Sequence, residues 1–204
     1  GGGDAGAGVG GRAFRISFAG ELAYELAVPA RFGGALMERL MAAGEVLGVV
    51  PYGTEALGVL RIEKGHAAGA ELDGRTTAGD RGLGRMLSKK KDFCGRVLAH
   101  REGLVDETRP ALVGLRVVGD GKLSAGAHLF ASGAARTVEG DQGWVSSVAW
   151  SPALGAMIGL GFLADGRARL GERVMASDPI RGRETACEVV SAHFVDPQGE
   201  RLRG

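Results

Sequence analysis

The chain has 204 residues, 45% of them apolar and 24% charged, with a formal net charge of +1. This is the composition of an ordinary globular protein with room for one large or two small domains, and the near-zero charge excludes the basic surplus that suits nucleic acid or an anionic membrane surface. No apolar run approaches the roughly 18 residues that cross a bilayer, and no secretory leader pattern is seen, so a cytoplasmic protein with neither nucleic acid nor membrane as partner is expected.

The first eleven residues, GGGDAGAGVGG, hold seven glycines. Gly6, Gly8 and Gly11 match the spacing of a dinucleotide-binding loop, but no strand is read before them and the segment after them is strand-like, so no helix N-terminus is offered to a pyrophosphate. A flexible linker is expected over 1–11, and the chain is expected to begin within something larger. Residues 12–19 alternate with Phe14, Ile16 and Phe18 on one face. Residues 22–28 alternate with Leu22, Tyr24, Leu26 and Val28 on one face, and across the Gly20-Glu21 turn the two segments read as a hairpin. Pro29 and Ala30 open a helix over 31–47, with Gly48 placed to end it. A short strand is expected over 49–51, a second helix over 53–65, an irregular Gly- and Thr-rich excursion over 67–80, and a charged connection over 98–109.

After Pro110 seven short segments, 112–118, 122–131, 136–139, 144–150, 156–163, 172–177 and 185–193, are parted by Gly, Pro or Asp turns. That spacing belongs to an all-β barrel or sandwich. The expected fold class is α+β: an incomplete α/β domain over 12–108 followed by a small C-terminal β-barrel over 109–204.

One carboxylate stands out. The face of 22–28 opposite its apolar side reads Ala23, Glu25, Ala27. A glutamate between two methyl groups has open space around it, so it is either a solvent-facing charge or a group that meets something other than protein. Cys94 and Cys187 have no ligand or disulfide spacing and read as buried, inert thiols. His66, His100, His128 and His193 are scattered, and no metal site is expected.

Several stretches together resemble the folate-dependent aminomethyltransferase family, the T-proteins of glycine cleavage and their relatives. Residues Ser17-Phe18-Ala19-Gly20-Glu21-Leu22-Ala23-Tyr24-Glu25 are similar to the family's Y-T-G-E-x-G-[FY]-E hairpin. Leu60-Arg61-Ile62-Glu63-Lys64-Gly65 is similar to its L-R-L-E-x-G helix, and Leu83-Gly84 with Lys90, Asp92-Phe93-Cys94-Gly95 and Arg96 follows its G-L-G…K-x-D-F-x-G-[KR] segment. In the barrel, Gly143-Trp144-Val145-Ser146-Ser147 and Ser151-Pro152-Ala153-Leu154-Gly155 match G-x-[VI]-T-S…S-P-x-L-x. A narrower resemblance, through Pro51-Tyr52-Gly53-Thr54-Glu55, the Ser88-Lys89-Lys90-Lys91-Asp92-Phe93 block and the ending Phe194-Val195-Asp196-Pro197-Gln198-Gly199-Glu200-Arg201, is to the C-terminal part of the alpha subunits of heterotetrameric sarcosine oxidases.

The resemblance implies tetrahydrofolate as the small-molecule partner. Its amines capture a methylene group as 5,10-methylenetetrahydrofolate, while flavin and NAD bind in the parent enzyme outside this chain and other sarcosine oxidase-like subunits are partners. It implies that Glu25 holds the pterin, and a carboxylate suits the parallel donors of that ring. Tyr24, Glu21 and Thr76 join Glu25 as folate-binding candidates. Tyr24 also reads as packing, Glu21 as a surface turn charge, and Thr76, like Thr77, as part of a loop that approaches the cavity in the family. Arg61 reads as an ion-pair partner, facing a different way from Glu63 two residues on. Lys89, Lys90 and Lys91 read as a solvated basic patch. Two departures from the family stand out: Leu57 takes the place of a folate-contacting arginine, with Gly58 after it, and the catalytic aspartate of the family lies in a part absent from this sequence, so the catalytic residue is unknown. The expectation is a folate-binding module whose own chain gives no turnover. The alternatives are a glycine-cleavage-type aminomethyltransferase and a non-catalytic folate-binding or assembly module.

Overall fold

A computed structural model describes residues 2–4 and 9–204. Strands β1 (Gly2–Asp4), β2 (Gly10–Phe14) and β3 (Glu25–Ala27) form an antiparallel sheet in chain order. The pairing of Gly2 with Arg12 and of Asp4 with Gly10 departs from the linker expected over 1–11. Ladder hydrogen bonds use backbone groups only, so a segment without side-chain signal can still pair. Of the glycine triplet, Gly6 and Gly8 lie outside the described residues, and Gly11 sits inside β2, not at a helix start.

Strands β2 and β3 pair antiparallel, as the hairpin reading expects, with Phe14 opposite Glu25 and Arg12 opposite Ala27. Both are shorter than the alternation suggests, and residues 15–24 between them are irregular. The cause is local: Ser17 Oγ accepts the Gly20 N–H at 3.0 Å, and Gly20 turns the chain with a positive φ of 87°. Helix α1 (Gly33–Gly44) is flanked by 3-10 turns at Ala30–Phe32 and Glu45–Leu47, and Gly48 ends it at φ 72°. None of its residues is buried. The strand expected over 49–51 does not form. The Val49 N–H folds back onto the Gly44 carbonyl at 3.0 Å, and Pro51 has no N–H to give to a ladder.

Helix α2 (Thr54–Lys64) carries the only two buried residues of the helices given so far, Ile62 and Glu63. It ends at Gly65, whose φ of 74° leaves the chain against the barrel. A Cβ there would overlap the Ala192 carbonyl and lie 2.9 Å from His193 Nδ1. Gly65→Ala is therefore expected to destabilise the protein by about 2 kcal/mol or more, from left-handed strain plus overlap, as a drop in urea midpoint at unchanged slope. Beyond α2 the charged connection expected over 98–109 contains two single-turn helices, α3 (Arg96–Ala99) and α4 (Glu102–Val105).

Six strands close a barrel in the order β4 (Ala111–Val117), β7 (Ala156–Leu163), β6 (Gly143–Ser151), β5 (His128–Ala131), β8 (Arg173–Asp178), β9 (Arg183–Val190). Its interior is filled by Val113, Leu115, Leu129, Val145, Val174 and Val189, each at most 1% exposed. On β7 the alternation is unusual. Gly159 and Gly161 let Leu123 and Leu115 approach closely from inside, while Ile158, Leu160 and Phe162 face outward into a second cluster with Ile62 of α2 and Leu112. The outer face of β7 is thus the seat of the α2 helix. The segment 136–139 is a turn, with Gly140 N–H on the Thr137 carbonyl at 3.2 Å, and Val138 is 88% exposed. A lone apolar residue between polar neighbours carries too little alternation to mark a strand.

Candidate functional site

The sheet β1–β3 carries the acid singled out by its neighbours. Glu25 opens β3 and is exposed, as are Tyr24, Leu26 and Ala27. Its side chain makes no hydrogen bond or ion pair among the described residues, and it lines neither of two cavities found in the fold. Phe14, Ile16 and Tyr24 around it are 41%, 50% and 60% exposed, so the apolar faces expected to be buried lie open in this chain. The other nominated residues are placed apart. Glu21 sits in the 15–24 connection and pairs with Arg201 Nη1 at 2.9 Å. Thr76 donates its hydroxyl to the carbonyls of Glu71 and Asp73, at 3.1 and 3.3 Å, and so closes its own turn. The structure brings Glu21, Tyr24 and Glu25 onto one stretch of chain and leaves Thr76 with the barrel-facing loop.

A different set of polar groups is buried. Glu71, fully covered, lies in the irregular stretch after α2. Its Oε2 accepts Arg61 Nη1 at 2.8 Å and the Ala68 N–H at 3.0 Å, and its Oε1 accepts the hydroxyls of Ser146 and Ser147, both at 2.6 Å. Consecutive strand residues ordinarily point to opposite faces. Here the β6–β7 register slips between Val145 and Ser147, and such a bulge re-aims side chains, which lets two adjacent serines reach one carboxylate. Burial by itself would raise the Glu71 pKa, but the two serine hydroxyls, the Ala68 N–H and the Arg61 charge outweigh it and hold the group below its ordinary value. Arg61 also donates from Nη2 to Ser147 Oγ at 2.7 Å, and Glu63, two residues on, accepts from Ser151 Oγ at 2.5 Å. Arg61 is the ion-pair partner that its sequence context suggests. It and Glu63 nonetheless both reach β6, because long side chains can wrap toward one strand from adjoining positions of α2.

This junction of Arg61, Glu63, Glu71 and three serines was not legible as a unit. Its sequence signal is that Arg61 and Glu63 fall inside the helix block, and Ser146-Ser147 and Ser151 inside the two barrel blocks, while Glu71 lies in none. Glu71 is satisfied on both oxygens by protein donors, so the junction joins α2 to the barrel. Asp80 behaves likewise: it accepts Arg109 Nη2 and the Thr77 N–H, each at 2.8 Å, and these hold its carboxyl below the ordinary range against the effect of burial. Asp80, Arg109 and Thr77 line a cavity of about 630 Å³ closed by α4 and by Arg167, which donates to the Gly79 carbonyl. Of its charged lining, Asp80 and Arg109 pair with each other, whereas Asp106, Glu107, Asp165 and Arg167 make no ion pair among the described residues.

The thiols differ from expectation in one case. Cys187 is buried in the barrel, where desolvation pushes its pKa up to about 12, so it is inert. Cys94 is exposed, because the turn that ends at Gly95 turns it outward where an apolar core position was expected. Lys89, Lys90 and Lys91 are exposed. Among the described residues no group of three or more His, Cys, Asp or Glu could hold a metal ion, and no helix is long and apolar enough to cross a membrane.

Comparison with known proteins bears on this arrangement. Residues 5–91 match the family described as the GCVT N-terminal domain, and residues 111–196 match the glycine cleavage T-protein C-terminal barrel domain. The sarcosine oxidase subunit alpha of Rhizobium meliloti is 47% identical over 192 residues, 93% of this chain but 19% of that protein. An aminomethyltransferase of Prochlorococcus marinus is 32% identical over 88% of this chain and 46% of its own length. The solved structure of the glycine cleavage system aminomethyltransferase T from Bartonella henselae superimposes with a TM-score of 0.73 at 27% identity, over 92% of this chain and 50% of that one. The chain therefore spans about a fifth of the sarcosine oxidase subunit and about half of the aminomethyltransferases.

Proposed function

The chain belongs to the glycine cleavage T-protein family, and from that premise we propose that it is the folate-binding module of an oxidoreductase like the sarcosine oxidase alpha subunit, one that passes the methylene carbon of an oxidised N-methyl amine to tetrahydrofolate. The observation that carries the reading is the 47% identity across 93% of the chain to such a subunit, against 32% to an aminomethyltransferase. In this reading the wall facing Glu25, the flavin and NAD sites and the partner subunits belong to polypeptide outside this chain. Gly11 lies in a strand and offers no helix N-terminus to a pyrophosphate.

Glu25 is assigned the pterin. Unlike Glu63, Glu71 and Asp80 it is not spent on protein partners among the described residues. Its two oxygens match the adjacent ring N–H and 2-amino donors of a pterin in a bidentate, charge-assisted pair. Tyr24 offers an exposed ring beside it, and Glu21 a second carboxylate on the same segment. Thr76, its hydroxyl already used in a turn, is assigned the smallest part.

Titration of folinic acid into the protein and into Glu25→Ala tests the assignment. Loss of a charge-assisted bidentate pair is expected to weaken binding by about 1.5–3 kcal/mol, roughly ten- to 150-fold. Equal affinity would remove Glu25 from the site, and no binding by the unmutated protein would remove folate from the reading of this chain. Incubated alone with sarcosine and tetrahydrofolate, the chain is expected to form no 5,10-methylenetetrahydrofolate.

A further inference from the structure

The ending of the chain, Phe194 to Arg201, was prominent in the sequence and has no part in the folate reading. In the structure it runs back from the barrel to the 15–24 connection, 180 residues away in sequence. The Phe194 and Val195 N–H groups both reach the Glu63 carbonyl at 2.9 Å. Asp196 then takes a left-handed conformation, φ 48°, which aspartate tolerates better than most residues. Its carboxylate caps the turn that follows, accepting the N–H groups of Glu200 at 2.9 Å and Arg201 at 3.1 Å.

Lys64, the last residue of α2, locks this turn in place. Its ammonium donates to the Asp196 carbonyl at 2.6 Å and to its carboxylate at 3.2 Å, with both side chains largely covered. The same lysine stem lies against Gly20, where a Cβ would come within 2.5 Å of Lys64 Cδ. From the turn, Arg201 reaches forward to Glu21 at 2.9 Å. In the opposite direction Arg15 donates to the carbonyls of Leu202 and Arg203 at 3.1 and 3.3 Å. Residues 15–24 have few other holds. They form no ladder, and Ile16, Leu22 and Tyr24 are exposed, although Phe18 packs on His66.

We propose that residues 194–203 are a clasp that fixes the 15–24 connection, and that Arg15 and Arg201 are positioning residues setting where β3, and with it Glu25, stands. The clasp contacts the connection at Arg15 and at Glu21, and Lys64, which it holds, lies against Gly20, so it restrains the segment that leads into β3. Its role toward Glu25 rests on the folate assignment above, whereas its role as a restraint does not.

Hydrogen exchange of the full chain tests the restraint. The outer contacts are one exposed ion pair, Arg201 with Glu21, and exposed hydrogen bonds from Arg15 to two carbonyls, which add little to global stability, so Arg15→Ala with Arg201→Ala should fold and melt as the unmutated protein does. Amides of residues 15–24 are expected to exchange about three- to tenfold faster, with the barrel strands unchanged. Unchanged exchange in 15–24, or equal acceleration throughout the protein, would overturn the clasp. Folinic acid titration tests the positioning. The double variant is expected to bind about three- to tenfold more weakly at unchanged melting temperature, and in the exchange measurement Glu21→Arg combined with Arg201→Glu should restore the slow exchange of 15–24 that either change alone loses. Full affinity in the double variant would overturn the positioning role. If the unmutated protein binds no folinic acid, the folate assignment and the positioning role fail together, while the exchange measurement still decides the restraint.

Discussion

Phe162→Ala is expected to destabilise the protein by about 3–5 kcal/mol, the usual cost of deleting a buried aromatic ring. Phe162 is fully buried on the outer face of β7. Its ring stacks on Trp144 of β6, with centroids 5.1 Å apart, and packs in one cluster with Ile62 of α2, Leu112, Ile158 and Leu160. The ring therefore joins the helix to the barrel wall. Strands on both sides of β7 are held by antiparallel ladders, the one to β6 interrupted only by its bulge, so the wall resists collapse into the void, and the cavity term stays near its maximum. Urea unfolding followed by circular dichroism checks the value, with Val138→Ala as a control at an 88% exposed position expected to stay within about 0.5 kcal/mol. A loss under about 1.5 kcal/mol for Phe162→Ala would mean that α2 is not seated on β7.

Glu71→Ala is expected to cost about 3–5 kcal/mol as well, by a different route. Removing the carboxylate leaves the Arg61 guanidinium, two serine hydroxyls and the Ala68 N–H facing an apolar hole, with the arginine charge only 14% exposed. Glu71→Gln should cost less, since an amide oxygen still accepts, but it supplies neither the second acceptor oxygen nor the charge. The pH dependence has a definite sign. Because the folded-state pKa of Glu71 lies below its ordinary value of 4.5, its contribution is complete above that value and is lost as pH falls through the folded pKa. His66 adds a slope in the same direction at higher pH. Burial, and then the Arg61 charge, push its pKa below the ordinary 6.5, so protons bind the unfolded chain first and stability starts to fall below about that pH. Stability should thus decline from neutral pH to pH 4 in the unmutated protein. In Glu71→Ala the segment below the ordinary carboxylate range should flatten, while the decline due to His66 stays.

The local periodicities were legible. Alternation in 156–163 marked β7, and glycine after an apolar helical stripe marked the ends at Gly48 and Gly65, because these signals depend on residues two to four positions apart. Where the same logic lacked material it failed. Residues 2–4 and 10–11 pair through their backbone with almost no side chains to announce it, Pro51 and the Gly44 carbonyl cancelled a strand at 49–51, and the 136–139 segment had a single apolar residue between charges and threonine.

The folate candidates were legible only through resemblance of motifs, and the structure leaves Glu25 on an open sheet while committing Thr76 to its turn and Glu21 to Arg201. The buried ionic groups were not legible at all. Glu71 and Asp80 sit in a stretch that reads as irregular and polar, yet both are among the least exposed charges described.

By itself the sequence determined which family's blocks the chain carries, which faces of its strands are apolar, and that an α/β part precedes a barrel. Only the tertiary structure decided which charges are buried and which are free. A carboxylate survives without water only if donors surround it, and the donors of Glu71 come from Arg61 ten residues back and from serines 75 and 76 residues onward. No local pattern encodes a meeting at that distance; the closed barrel, its bulge at Ser146 and the seat of α2 on β7 bring it about.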